Sequence, residues 1–302
     1  MDDRKLITQL KQKRNAVILA HNYQRAEVQE VADFVGDSLG LALEASNINA
    51  DVIVFCGVDF MAESAKILNP DKIILHPEPR AKCPMAAMCE AKDLVEFRAR
   101  NPDAKIVGYV NTTASCKAQM DLCCTSSNAI KVVESTLGKD ILFVPDENLG
   151  KYIKRFVSDK NVILWPGYCP THHAIIPEDI TNIKKEHPEA LVIVHPECRP
   201  EVIDLADAVR STDGMIKFVR DSRANEFIIG TEVGLIHRLK RENPDKSFYG
   251  IPSAVCPSMK MITLSTIRQA LETLSPRIEL DKKLIEMARV PLERMTRVGR
   301  SE

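Results

Sequence analysis

The sequence predicts an α/β protein built as three homologous three-layer α/β/α units, each with a small parallel sheet, around a pseudo-threefold axis. Apolar, β-rich runs alternate with helically spaced segments along all 302 residues, the pattern of parallel sheets covered on both faces. Three of these runs end in polar side chains: AVILAHNYQ with His21 and Tyr23, KIVGYVNTT with Tyr109 and Asn111, and LVIVHPECR with His195 and Glu197. With His21, Tyr109 and His195 as anchors, 88 and 86 residues apart, the same residue types recur at matching distances behind each. Such self-similarity marks a repeated unit.

Each unit then reads in order. Twelve residues past the anchor stands an aspartate, Asp33, Asp121 or Asp207, just before or within a short strand (FVGD, LCCT, AVRS). Seventeen residues past it a hydroxyl, Ser38, Ser126 or Thr212, stands where the next helix opens, placed to cap that helix or to reach an anion. A further apolar run (DVIVFCGVD, DILFVPDEN, EFIIGTEVG) delivers an acid, taken as Asp59, Glu147 and Glu232. Helical segments such as FMAESAKIL and VGLIHRLKRENP follow, and 60 to 62 residues past each anchor comes Cys-Pro, at Cys83, Cys169 and Cys256. Every repeated polar position is expected on the carboxyl edge of its sheet, where open parallel sheets meet ligands. The units are placed at 1–84, 85–170 and 171–258, joined by the helices EAKDLVEFRARNP and PEDITNIKKEHP. The helix MKMITLSTIRQALETL and the tail to Glu302 (259–302) are expected to pack back on the first unit.

Composition excludes several classes of function. Forty-one basic against 42 acidic residues leave a net charge of −1, which removes the counterion-release attraction of a general nucleic-acid binder. No apolar run approaches the roughly 18 residues that span a bilayer, and MDDRKLITQLKQKRN has no apolar core of a signal peptide. A cytoplasmic protein that engages neither membrane nor nucleic acid is expected. Nine cysteines fit a disulfide framework poorly and leave core, nucleophilic or metal-ligating uses.

Three Cys-Pro pairs in register would arise by chance about once in ten thousand such chains, so for Cys83, Cys169 and Cys256 a shared metal site outranks the core reading. Cys56, Cys123 and Cys124 read as core; Cys89, Cys116 and Cys198 are left undecided. Sulfur ligands suit zinc or an iron–sulfur cluster. A cubane with three protein ligands would keep one iron open as a Lewis acid. Around it His21, Tyr23, Tyr109, His195 and Glu197 are groups fit for proton transfer. His172 and His173 either line the pocket or are exposed.

The motifs AHNYQ, GDS, GVDFMAE, CPMA, YVNTTASCK, CTSSNA, PDENLG, CPTHH, VHPEC, IGTEVGLIHRL and CPSMK, in this order over nearly the whole chain, resemble quinolinate synthase. The resemblance implies a transferase of NAD biosynthesis that condenses iminoaspartate with dihydroxyacetone phosphate to quinolinate, releasing phosphate and water. It implies one [4Fe-4S] cluster on Cys83, Cys169 and Cys256. It further implies that His21, Tyr23, Tyr109, His195 and Glu197 are catalytic, and that Ser38, Asn111, Ser126, Ser211 and Thr212 join His21, Tyr109, His195 and Glu197 in binding substrate. The implied imine source is L-aspartate oxidase or an aspartate dehydrogenase. A hydro-lyase with an open-corner cluster and a non-catalytic iron–sulfur sensor are the competing readings. No cysteine follows Cys256, so the C-terminal redox pair of some members is not expected.

Overall fold

The computed structural model describes residues 2–298. Its strands are β1 (Ala16–His21), β2 (Phe34–Gly36), β3 (Val52–Cys56), β4 (Ile73–Leu75), β5 (Lys105–Tyr109), β6 (Leu122–Cys124), β7 (Asp140–Val144), β8 (Asn161–Leu164), β9 (Leu191–Val194), β10 (Ala208–Val209), β11 (Glu226–Gly230) and β12 (Ser247–Gly250). They form three four-stranded sheets of one topology, β2-β1-β3-β4, β6-β5-β7-β8 and β10-β9-β11-β12, in which every pairing is parallel. The central strands are buried on both faces, as the unbroken VIVF and LVIV runs require.

The repeated aspartates have a structural role. Asp33 Oδ2 accepts the N–H of Ile18 at 2.8 Å, Asp121 that of Ile106 at 2.9 Å, and Asp207 that of Val192 at 2.8 Å. The amide of each aspartate in turn donates to the carbonyl of that same partner at 2.9 Å. This clamp joins the short strand to the middle of the anchor strand, away from the carboxyl edge, so the expectation that all repeated polar positions serve the functional edge is corrected for this trio. Asp207→Ala is expected to lower stability by about 1 kcal/mol, because the Val192 amide loses its acceptor. A urea midpoint equal to that of the parent would contradict the clamp.

Packing is unequal among the units. One apolar cluster contains Leu19 and Phe55 of the first sheet with Ile106 and Leu142 of the second, and it includes Ala288, Leu292 and Met295 of the helix Lys282–Val298. The third sheet is covered by two clusters of its own around Val192, Ile228 and Ile193, Phe227. The segment 259–274 is broken where one helix was expected. A short turn, Met259–Met261, is followed by extended Ile262 and a fresh start at Thr263, whose hydroxyl caps Leu264–Thr273. That helix lies against Asp3–Arg14 of the first unit through Ile7, Ile267 and Leu271. The helix Lys282–Val298 reaches the second unit as well as the first. It lies across the first two, with Arg289 donating to Ile67 O and Arg294 to Asp121 O. Its apolar face continues the shared core, which explains the position. The tail 299–302 lies outside the described residues.

Candidate active site

The carboxyl ends of the anchor strands open on one cavity of about 110 Å³, whose wall includes Cys83, Cys169 and Cys256. Each cysteine is held twice. Its N–H donates to a carboxylate from the third strand's end: Cys83 to Asp59 at 3.2 Å, Cys169 to Asp146 at 3.1 Å, Cys256 to Glu232 at 3.1 Å. Its sulfur accepts backbone N–H bonds from residues two or three further on, Met85 and Ala86, His172, and Ser258 and Met259 respectively. Amides aimed at sulfur favour the thiolate that a metal requires, so this cradle fits a metal centre. Burial pushes the bare Cys83 thiol up to about 12 and raises Cys169 and Cys256. Loading a metal must therefore expel protons.

The second acid is Asp146, where Glu147 was expected. Asp146 is fully buried and caps the helix Glu147–Ile153 through Leu149 N–H at 2.8 Å, whereas Glu147 faces outward and pairs with Lys151 at 3.2 Å. Glu232 accepts additionally from Gly234 N–H at 2.7 Å and pairs with Lys260 at 2.8 Å. Gly234 is required here, since a Cβ would stand 2.7 Å from Tyr23 O.

Beside the sulfurs lies a buried polar network. His172 Nδ1 is 2.6 Å from Glu197 Oε2 and 3.2 Å from Cys169 Sγ, and its Nε2 is 2.8 Å from Thr231 Oγ1. Tyr23 OH lies 2.6 Å from the same Thr231 oxygen, and Tyr109 OH donates to Glu197. Burial alone would raise Glu197; the facing His172 and His195 outweigh it and hold the carboxyl down at about 2. Burial first, then the Glu197 charge, raises both Tyr23 and Tyr109. At neutral pH this network thus presents the Glu197 carboxylate and two protonated phenols, Tyr23 and Tyr109. His195 Nε2 reaches Ser126 Oγ at 3.2 Å, and its ring stacks on His172 at 4.6 Å.

Ser38 and Thr212 are the first residues of their helices, and the preceding Asp37 and Ser211 do the capping, accepting from Gly40 and Gly214. Ser38 and Thr212 are therefore not needed as caps, and both line the cavity with Ser126. Thr212 Oγ1 also takes a bond from Asn22 at 2.8 Å, part of a first-to-third unit contact that Arg238 completes at 2.9 Å from Asn22.

The family model for quinolinate synthetase A protein (NadA) matches residues 5–297. The chain belongs to the quinolinate synthase family. It is 58% identical over 267 residues to the quinolinate synthase of Thermodesulfovibrio yellowstonii, covering 88% of each chain. It is 53% identical over 293 residues to that of Dehalococcoides mccartyi strain CBDB1, covering 97% of each. It is 53% identical over 300 residues to that of Methanoregula boonei, covering 98% of this chain and 99% of that one. Among the described residues no helix is long and apolar enough to cross a membrane.

For this member of the family, the cavity wall gathers His21, Tyr23, Ser38, Cys83, Tyr109, Asn111, Ser126, Cys169, His195, Glu197, Thr212 and Cys256. Ser211 is not among the lining residues. Asn111 Oδ1 is buried without a partner, the condition of an atom awaiting a ligand. His172, 1% exposed, lines the wall, while half-buried His173 does not and instead meets Asn148 at 3.2 Å. Thr231, Asp146 and Lys260 were not foreseen. The matching 37-residue step from Tyr109 to Asp146 and from His195 to Glu232 is the signal that would have found Asp146.

Burial lowers His21 to about 4 and His195 to about 3, so both rings are neutral at physiological pH. The unfolded chain takes up these protons near pH 6.5 and the folded one only below about 4. Stability is therefore full above pH 6.5 and falls as the pH drops towards 4 and 3. His195→Asn should flatten this fall, read as the difference between urea midpoints at pH 7.5 and pH 5; an unchanged difference would contradict the assignment.

Proposed function

We propose that the protein condenses iminoaspartate with dihydroxyacetone phosphate to quinolinate, a transferase reaction that releases phosphate and water with no net redox change. The observation that carries the reading is the cavity itself, which combines three thiols on amide cradles, three helix-start or turn hydroxyls, and an ionised carboxylate between two histidines. Cys83, Cys169 and Cys256 would hold one [4Fe-4S] cluster. Two sulfurs on one zinc lie at most about 4.6 Å apart. Among the described residues the His, Cys, Asp and Glu donors that all come within 4.8 Å of one another are Cys169, His172 and Glu197. The thiol trio stands wider than that and suits a polynuclear group better than a single ion.

When bound, the cluster would supply a Lewis-acid iron at its unliganded corner. The chain's own residues do the rest. Ser38, Ser126 and Thr212, with the amides behind them, hold phosphate and carboxylate groups. Asn111 Oδ1 accepts a substrate N–H or O–H. Glu197 takes and returns protons on the triose portion, with Tyr109 as the donor beside it. His21 and Tyr23 serve condensation and ring closure, His21 as a neutral base and Tyr23 as a hydrogen-bond donor. His195 orients Ser126. Unit boundaries near residues 85 and 171 belong to the same proposal, supported by the linking helices Ala91–Arg100 and Pro177–Glu186 that begin shortly after them.

The test is anaerobic turnover by iron-loaded protein, with iminoaspartate generated in place by L-aspartate oxidase or an aspartate dehydrogenase and dihydroxyacetone phosphate added. Quinolinate with stoichiometric phosphate release is expected. Loaded protein that releases neither would overturn the reading.

A further inference from the structure

Outside the cavity, two thiols stand within reach of each other. Cys89 follows the short turn Ala86–Met88 behind Cys83, and Cys116 lies in the helix Ala114–Lys117 behind Asn111. The Cys116 thiol donates to the Cys89 carbonyl oxygen at 3.1 Å, and each sulfur is near enough to the other to shift its titration. Neither lines the cavity, so the site already described leaves both unused. The other thiols away from the cavity are arranged differently. Cys123 and Cys124 are successive residues of β6 and leave opposite faces of the sheet. Cys56 lies in the middle sheet strand β3, and Cys198 points its sulfur at Gly230 O, 3.5 Å away.

The groups beside the pair, Thr113 and Lys117, act on Cys116. The bond from Cys89, then the Thr113 side chain and Lys117, favour the Cys116 thiolate against the burial that opposes them. Burial pushes Cys56, Cys123, Cys124 and Cys198 up. A thiol with thiolate character beside a resolving thiol is the arrangement of a reversible redox pair.

We propose that Cys89 and Cys116 are a modification site, a thiol pair that a hydroperoxide closes to a disulfide, tying the turn behind Cys83 to the helix behind Asn111. The Cys116 sulfur attacks one peroxide oxygen; the O–O bond breaks, and with hydrogen peroxide one water leaves, giving a sulfenic acid. The Cys89 sulfur then attacks Cys116 sulfur; the S–O bond breaks and a second water leaves with the Cys89 proton. Two thiols are oxidised by two electrons and hydrogen peroxide is reduced to two waters. The oxidant must be small and uncharged, because Cys89 is 2% and Cys116 0% exposed.

The experiment treats the iron-loaded protein anaerobically with one equivalent of hydrogen peroxide, alkylates the remaining thiols, and maps the peptides with and without dithiothreitol. A dithiothreitol-sensitive Cys89–Cys116 peptide is expected, formed about tenfold or more faster than alkylatable Cys56, Cys124 or Cys198 is lost. Cys116→Val should leave Cys89 fully alkylated after the same treatment. Recovery of Cys89 and Cys116 as separately alkylated peptides, while other cysteines have been oxidised, would overturn the proposal. The readout is a peptide map, so it stands or falls apart from the reaction proposed above.

Discussion

Glu197→Gln is expected to lower quinolinate formation by about 10²- to 10⁴-fold, the usual contribution of a positioned acid–base group. The amide keeps the volume of the carboxylate and can still accept from His172, which now stands 2.6 Å from Oε2, so folding and metal content should be retained. What it loses is the ability to take a proton. Glu197 is 3% exposed and meets His172, His195 and Tyr109 at once, so water cannot readily replace it as a base. Turnover within a factor of two of the parent, at equal iron content, would remove Glu197 from the chemistry.

Single replacement of Cys83, Cys169 or Cys256 by Ser is expected to abolish most iron binding, because each sulfur comes from a different unit and the other two cannot close the coordination. The equivalence of the three is the decisive feature. A single ion on Cys169, His172 and Glu197, the donors within 4.8 Å of one another, predicts instead that Cys83→Ser and Cys256→Ser keep their metal. Cys56→Ser is the control: its side chain is fully buried in β3, so a hydroxyl there costs about 1–3 kcal/mol of stability and leaves iron binding intact. Metal content by elemental analysis and a denaturant midpoint for each variant separate the cases.

Much of the molecule is legible in the sequence because its units repeat in register. The anchors, the short strands and the Cys-Pro turns recur at nearly constant spacing, and the sheets follow from that. What the pattern leaves open is decided by single turns of backbone. Asp146 and Glu147 are adjacent acids, and only the geometry of a helix cap assigns the inner place to the first. Ser38 and Thr212 look like caps by composition, yet Asp37 and Ser211 occupy that position and the next residue lines the cavity. His172 and His173 are indistinguishable as a pair, but a four-residue helix from Pro170 turns the first inward and the second aside. The break at Ile262 and the course of Lys282–Val298 across two units depend on tertiary contacts that no local period encodes. Thr231 joins Tyr23 of the first unit to His172, a link between residues far apart in the chain that periodicity does not signal.

The most direct test of a cluster shared by three units is the Mössbauer spectrum of protein reconstituted with ⁵⁷Fe, before and after addition of a dicarboxylate substrate analogue. Three sulfurs on a cubane leave one iron of four distinct, so the account predicts a three-to-one division of the signal, with the minor component alone shifting when the analogue binds. Four equivalent irons that ignore the analogue, or a single mononuclear site, would contradict it.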